Sequence, residues 1–224
     1  MKLWSSRYYM LISSLPPLPP SFEVDRLPIT AERLQDRLRM LESEDAREIG
    51  QVIEILRWSR LFEEPNDTAV AKRYAELMQG VTNQLVREVL TLGMDVRMIT
   101  TALRRRRRGL GPPTIGIGRW LEHIRRHFDR PDLGLGHVFP WIAEYERLLE
   151  QGDVLNVHRG LVQATWAYLK RRADDYYFSF EAVVLYVARW NIIRQWQELH
   201  AERGRPIFEA LVTEALGEYA DIYS

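Results

Sequence analysis

The chain has 224 residues, 46% of them hydrophobic, and its 31 basic residues balance 31 acidic ones, so the formal net charge is zero. The length allows one large helical domain or two small ones, and the charge balance weighs against general binding of DNA or other nucleic acid. The chain has no cysteine, which excludes disulfides, thiol catalysis and cysteine-ligated metal sites.

The N-terminal part of the sequence predicts an arm followed by a stiff connector. Tyr8–Leu15 is an aromatic and β-branched run that is typical of a strand or an extended arm. Pro16–Pro20 then favours a polyproline-like connector. Its PxxP spacing also fits an SH3-like groove, although a connector explains the same prolines. We therefore assign residues 1–20 to an N-terminal arm and Pro-rich connector.

Helical periodicity dominates the rest of the chain. Thr30 is a good N-cap for the first helix, and Ser43 or Asp45 is expected to cap the second. Gly93 is expected to end the long helix that Thr68 opens. The predicted helices cover residues 31–41, a segment after the cap at 43 or 45, then 68–92, 95–108, 119–128, 138–150, 154–172, 178–199 and 206–218. The predicted class is all-α, a bundle of helical hairpins.

One predicted helix is apolar almost all the way round. The segment Phe178–Trp196 carries valine, isoleucine and tryptophan on more than one face, which predicts the buried centre of the body. Its longest strongly apolar run, Ala182–Ala188, has seven residues. About 20 are needed to span a bilayer, so we expect no membrane-spanning segment.

A weak internal similarity at an offset of 108 residues suggests related halves. RMLESED at 39–45 aligns with RLLEQGD at 147–153, and Trp58 then falls on Trp166. Residues 21–224 therefore form either one helical domain or two related modules, at about 21–110 and 119–224.

The strongest local signal for binding is a run of five arginines. Arg104–Arg108 lies in a segment, residues 94 to 130, that contains ten arginines and three acidic residues. This segment therefore has a charge of +7. The run can be a solvated helix end that complements the macrodipole, a docking site for an acidic protein surface, or a site for RNA or anionic lipid. The partner-binding candidates are Arg104, Arg105, Arg106, Arg107 and Arg108.

Three other patterns are weaker indications of a functional site. His123 and His127 have the i, i+4 spacing of metal ligands, but two arginines separate them and no HExxH glutamate is present. The loop GLGPPTIGIG lacks the Lys-Ser/Thr of a phosphate loop, and Asp174-Asp175 is typical of a turn. We therefore predict no catalytic residues, no metal and no cofactor.

Three segments resemble an uncharacterised bacterial family whose genes accompany those of V/A-type ATPases. They are YYMLISSLPPL near the start, RMITTALRRRRRG, and FSFEAVVLYVARWNIIRQW with the following GRPIFEALV. That family is similar in layout to the C-type (or d-type) component of V-type ATPases, an all-helical funnel of repeated modules.

The resemblance implies a non-catalytic subunit that couples the central rotor shaft of a proton- or sodium-transporting rotary motor to the membrane proteolipid ring, or that aids its assembly. It implies protein partners, with no small-molecule substrate, and a peripheral place on the cytoplasmic face of the membrane. The alternative is a stand-alone adaptor whose basic patch binds RNA or an anionic membrane surface.

Overall fold

The computed structural model describes residues 8–58, 67–116 and 118–199, and these ranges are mostly helical with no β-strand. Eight helices are α1 Tyr9–Ser13, α2 Ala31–Leu38, α3 Ser43–Trp58, α4 Asp67–Gln79, α5 Gln84–Arg107, α6 Leu121–Arg126, α7 Trp141–Glu150 and α8 Val154–Ala173. A ninth, α9, is described over residues 180–199. The predicted all-α class is confirmed.

Within the described ranges, no helix is long and apolar enough to cross a membrane. The helix predicted at 206–218 lies outside these ranges.

Helix α9 lies at the centre of the molecule. No residue from 181 to 199 is exposed, and successive parts of the helix pack against different neighbours. Val183, Val184 and Val187 share one core cluster with α1, α3, α4 and α5. Leu185 and Ala188 pack against α5 and α8. The predicted buried central helix is therefore confirmed, and its all-round apolar sequence follows from contacts on every side.

A second core fills the space between the C-terminal half of α5, α6, α7 and the start of α8. Its buried members are Met98, Ile99, Ala102, Leu103, Ile124, Phe128, Leu133, Leu135, Phe139, Ile142, Tyr145, Leu148 and Val157. The 24-residue helix α5 contributes to this core and to the clusters around α9. Helix α5 therefore connects the second core to the clusters around α9, as α8 also does through Val157 and Leu169.

The segment between α1 and α2 has no helix, and side chains of α8 and α9 supply its hydrogen bonds. The Tyr186 hydroxyl donates to the Pro16 carbonyl at 2.9 Å, and the Gln197 amide donates to the Val24 carbonyl at 2.8 Å. The indole N–H of Trp166 donates to Pro20 O at 3.2 Å, and that of Trp190 to Ile29 O at 2.8 Å. The proline connector is thus bonded along its length to the helical body.

The prediction of a strand or extended arm over Tyr8–Leu15 is wrong, because Tyr9–Ser13 is a helix. Tyr8 and Leu11 are buried, and Ile12 and Leu15 pack against the same core cluster. Their spacing of i, i+3, i+4 and i+7 is helical. Pro16 follows at once and keeps this helix short. The segment is part of the core.

The predicted helix end at Gly93 is also wrong. The helix ends earlier, at Gln79, and the next helix, α5, runs from Gln84 through Gly93 to Arg107. The new start is set by caps: the Asn83 side chain accepts from Val86 N at 3.2 Å. The buried Glu48 of α3 accepts from Thr82 N at 2.8 Å, from the Thr82 hydroxyl and from Asn83 N at 3.2 Å. These bonds pair main-chain N–H groups around the start of α5.

The turns aligned by the internal similarity differ in structure. Asp153 precedes α8 and accepts from Asn156 N at 3.1 Å, after Gly152 with φ +73°. Its counterpart Asp45 lies inside the first turn of α3, and Ser43 is the first residue of that helix, so neither occupies the N-cap position. Asp45 instead accepts a hydrogen bond from the Tyr8 hydroxyl. The side chain of Trp58 lies outside the described set. Division into two modules stays a prediction.

We predict that Glu48→Ala lowers the free energy of unfolding by about 2–4 kcal/mol. The reason is that the partly buried N–H groups of Thr82 and Asn83 lose their acceptor. Glu44→Ala, at an exposed site in the same helix, is the matched control and should change stability by less than about 0.5 kcal/mol. Urea unfolding followed by circular dichroism measures both. Equal losses in the two variants would contradict the capping role.

Candidate partner-binding surface at the end of helix α5

The arginine run forms the last turn of α5. Arg104–Arg107 are its final residues and Arg108 is the C-cap. Gly109 N donates to Arg106 O and Leu110 N to Arg105 O, each at 2.9 Å. This pair of bonds needs a left-handed residue after the cap, which Gly109 provides with φ +67°. The chain therefore turns sharply away and leaves the arginines at a defined helix end, where positive charge complements the macrodipole.

Three of the five arginines bind within the molecule. Arg104 Nε donates to the Tyr145 hydroxyl at 3.1 Å, and Arg105 Nε donates to the Gly111 carbonyl at 2.8 Å. Arg106 makes the largest set of bonds, donating to the carbonyls of residues 128, 130 and 131 and pairing with Glu146. Most of these acceptors are neutral, so the interactions position the arginines without cancelling their charge.

The other two arginines are exposed. Among the described residues, the side chains of Arg107 and Arg108 have no hydrogen-bond or ion-pair partner. The neighbouring Arg126 and Arg130 are exposed as well. The predicted five-residue site thus separates into an inner set, Arg104 to Arg106, that fastens the helix end, and an outer pair that has no partner among the described residues. Arg104 is exposed as well, but only the outer pair can meet a partner without giving up a bond within the described molecule.

A further arginine that the sequence did not single out fastens the Gly/Pro loop beside this surface. Arg125 Nε donates to the Pro113 carbonyl at 3.0 Å, and the same guanidinium bonds to Thr114 O and to Glu122. Together with Arg105, it satisfies carbonyls of a loop that has no helical bonds of its own. The loop is therefore bonded to the body from both α5 and α6.

The same loop covers a buried carboxylate, Asp95. Its side chain is fully buried and accepts from Arg119 Nε at 3.1 Å, while its second oxygen has no hydrogen-bond partner. Burial raises the pKa of Asp95, and the charge of Arg119 opposes that rise. Gly118 has φ +123°, and a Cβ there would lie 2.8 Å from Asp95 Oδ1. The glycine is required by this close approach as well as by its backbone angle.

Asp95 was missed although the sequence carries a signal for it. It lies four, seven and eight residues before Ile99, Ala102 and Leu103 of the buried stripe of α5. A charged residue on an apolar stripe needs a partner. The sequence does not indicate that this partner is Arg119, across the loop.

His123 and His127 do lie together, with ring centroids 4.2 Å apart. Each ring already has a main-chain partner: His123 Nε2 lies 3.2 Å from Gly134 O, and His127 Nδ1 lies 3.0 Å from His123 O. Within the ranges that the structure describes, no group of three or more His, Asp or Glu is placed to hold a metal. The pair is best described as a stacked contact between α6 and the loop that follows it.

Asp174 and Asp175 lie in the turn that was predicted for them. Asp174 is the C-cap of α8, and Asp175 pairs with Arg172 at 3.1 Å. Both carboxylates are exposed.

Residues 63–217 match a family that is described as a protein of unknown function, DUF2764. The chain belongs to this family. No curated protein and no solved structure matches the chain.

The DUF2764 match contains α4 to α9 in full, and with them the central helix, both arginine sets and the loop over Asp95. It begins after α3. The candidate surface therefore belongs to the part of the chain that defines the family.

We predict opposite pH effects for two aspartates beside this surface. The pKa of Asp95 is raised above 3.8 by burial, so its stabilising contribution is present below that pH and is lost as pH rises through the folded pKa. The pKa of Asp132 is lowered, first by the N–H of Gly134, so its contribution is present above 3.8 and is lost as pH falls.

Relative to wild type, Asp95→Asn should therefore gain stability as pH rises from about 3 to 7, by about 1.4 kcal/mol for each unit of pKa difference. Asp132→Asn should lose stability over the same range. Urea unfolding at a series of pH values measures both curves. Parallel curves for the two variants would refute the assigned environments.

Proposed function

We propose that the protein is a non-catalytic subunit of a V/A-type ATPase that either couples the central shaft to the proteolipid ring or aids assembly of the complex. The observation that carries the proposal is the exposed pair Arg107–Arg108 on a helix end that Arg104, Arg105 and Arg106 fasten to the body. A cationic pair on a fixed helix end suits docking on an acidic protein surface, because the backbone that carries the pair is already ordered before binding.

The rest of the molecule is consistent with a mechanical role. Two buried carboxylates have structural partners: Glu48 binds main-chain N–H groups around the start of α5, and Asp95 binds Arg119. A helix without an exposed face runs through the centre. The sequence resemblance to the family encoded with ATPase genes supplies the identity of the complex in this proposal. It also supplies the peripheral position on the cytoplasmic face of the membrane.

We predict that replacing both exposed arginines, as Arg107→Glu with Arg108→Glu, reduces recovery of ATPase shaft or ring proteins by a tagged copy at least about tenfold, because charge reversal places like charges at the interface. The measurement is co-purification from gently solubilised membranes of the native host at low salt. The matched control is Arg33→Glu with Arg37→Glu, two exposed arginines on α2, which should leave recovery unchanged.

The experiment also separates the alternative. If wild type recovers no ATPase component but binds RNA or anionic vesicles with a steep salt dependence that the double variant removes, the adaptor role replaces the ATPase role. Recovery of ATPase components that is equal in wild type and both double variants would leave the ATPase role in place and remove the arginine surface from it.

A further inference from the structure

Arg189 is a half-buried arginine on the central helix that stacks on a tryptophan of the neighbouring helix. Its guanidinium carbon lies 4.7 Å from the centre of the Trp166 ring. Trp166 is 2% exposed and donates its indole N–H to Pro20 O. The aromatic surface beneath the arginine is therefore fixed, and it holds one face of the cation by a cation–π contact.

The guanidinium lacks the acceptors that such a position calls for. Within the described residues, the Arg189 side chain has no hydrogen bond and no ion pair. Its Nε is fully buried, whereas the two terminal nitrogens are not. Burial lowers the pKa of Arg189, and the nearby Asp174 and Tyr186 act in the opposite direction. The terminal nitrogens are the part of the guanidinium that a ligand can reach, and they have no acceptor among the described residues. A ligand can therefore bond to them without displacing a contact within the described molecule.

Another arginine one and a half turns along α9 provides the comparison. Arg194 also stacks on a tryptophan, with its guanidinium carbon 5.6 Å from the Trp190 ring, and its Nε is buried without a partner. It nevertheless donates to Asn191 Oδ1 at 3.1 Å and lies 3.9 Å from Glu198. The terminal nitrogens of Arg194 thus have partners inside the molecule, whereas those of Arg189 have none among the described residues.

We propose that Arg189, stacked on Trp166, is a binding site for one carboxylate that approaches its terminal nitrogens from solvent. A planar guanidinium presents paired N–H donors that match the two oxygens of a carboxylate. The site is independent of the arginine surface at the end of α5, and it requires nothing of the proposed ATPase role.

The surrounding charge favours a singly charged ligand. Asp174 is close enough to act on Arg189 electrostatically, so the positive charge available to a ligand is less than one full unit. Because Coulomb repulsion scales with ligand charge, that aspartate repels a dianionic phosphate about twice as strongly as it repels a single carboxylate. The cation–π contact leaves the outer edge of the guanidinium for the ligand.

The test titrates the full chain with sodium acetate at constant ionic strength and follows thermal unfolding. At about ten times the dissociation constant, the Tm of wild type should rise by about 3–5 °C and then increase only logarithmically with concentration. Arg189→Met keeps an apolar side chain over Trp166 and should lose this rise. Arg194→Met should retain it. In wild type, the Arg189 Nε–H signal in ¹⁵N nuclear magnetic resonance spectra should shift saturably with acetate, and this readout does not depend on how the variants fold.

Two outcomes would overturn the proposal. One is an Nε–H signal of Arg189 that does not shift saturably with acetate, together with equal Tm responses in wild type and Arg189→Met. The other is a difference between wild type and Arg189→Met that is larger with phosphate than with acetate, since that result would assign the site to a different anion. An acidic peptide in place of acetate distinguishes a protein-borne carboxylate, which should bind more tightly, from a free one.

Discussion

The structure depends on a central helix, α9, in which no residue from 181 to 199 is exposed and whose polar side chains bond to a segment without helical bonds of its own. Three α9 side chains, with Trp166 of α8, donate to the carbonyls of Pro16, Pro20, Val24 and Ile29. Between these bonds Phe22 is fully buried against the rings of Trp166 and Trp196. Since carbonyls shielded from water need donors, the tryptophans of this core act both as apolar filling and as hydrogen-bond donors.

Arginines of α5 and α6 also have two roles, since they bond loop carbonyls and supply surface charge. Arg105, Arg106 and Arg125 donate to carbonyls of loops that follow α5 and α6. Five planar N–H donors on a long side chain can reach such scattered carbonyls, which a lysine ammonium does less well. Because most of the acceptors carry no formal charge, fastening the loops leaves much of the positive field of this region in place. Loop structure and surface charge therefore come from the same residues.

The sequence predicted the elements whose pattern is local and missed those that distant residues decide. Helix α9 is apolar all round, and its burial followed from that alone. Helix α5 starts at Gln84 because Glu48, 34 residues before Thr82, binds the N–H groups near that start, and no local pattern indicates this contact. The five arginines look alike in sequence. Arg106 follows Ile99, Ala102 and Leu103 at helical spacing, which indicates that it lies on the inward face of α5. Its acceptors, however, lie 22 to 40 residues away in the chain.

The bonds between the Pro-rich segment and the last described helices also set an order of events during synthesis. Their partners are 146 to 173 residues apart in the chain. Loops of that length close slowly, and contacts of this kind form late in folding. At a translation rate of about 5–20 residues per second, the segment waits roughly 7–35 seconds for its donors. Until then Trp166 and Trp196 are not present to cover the ring of Phe22, so this apolar side chain of the newly made chain stays without its native cover.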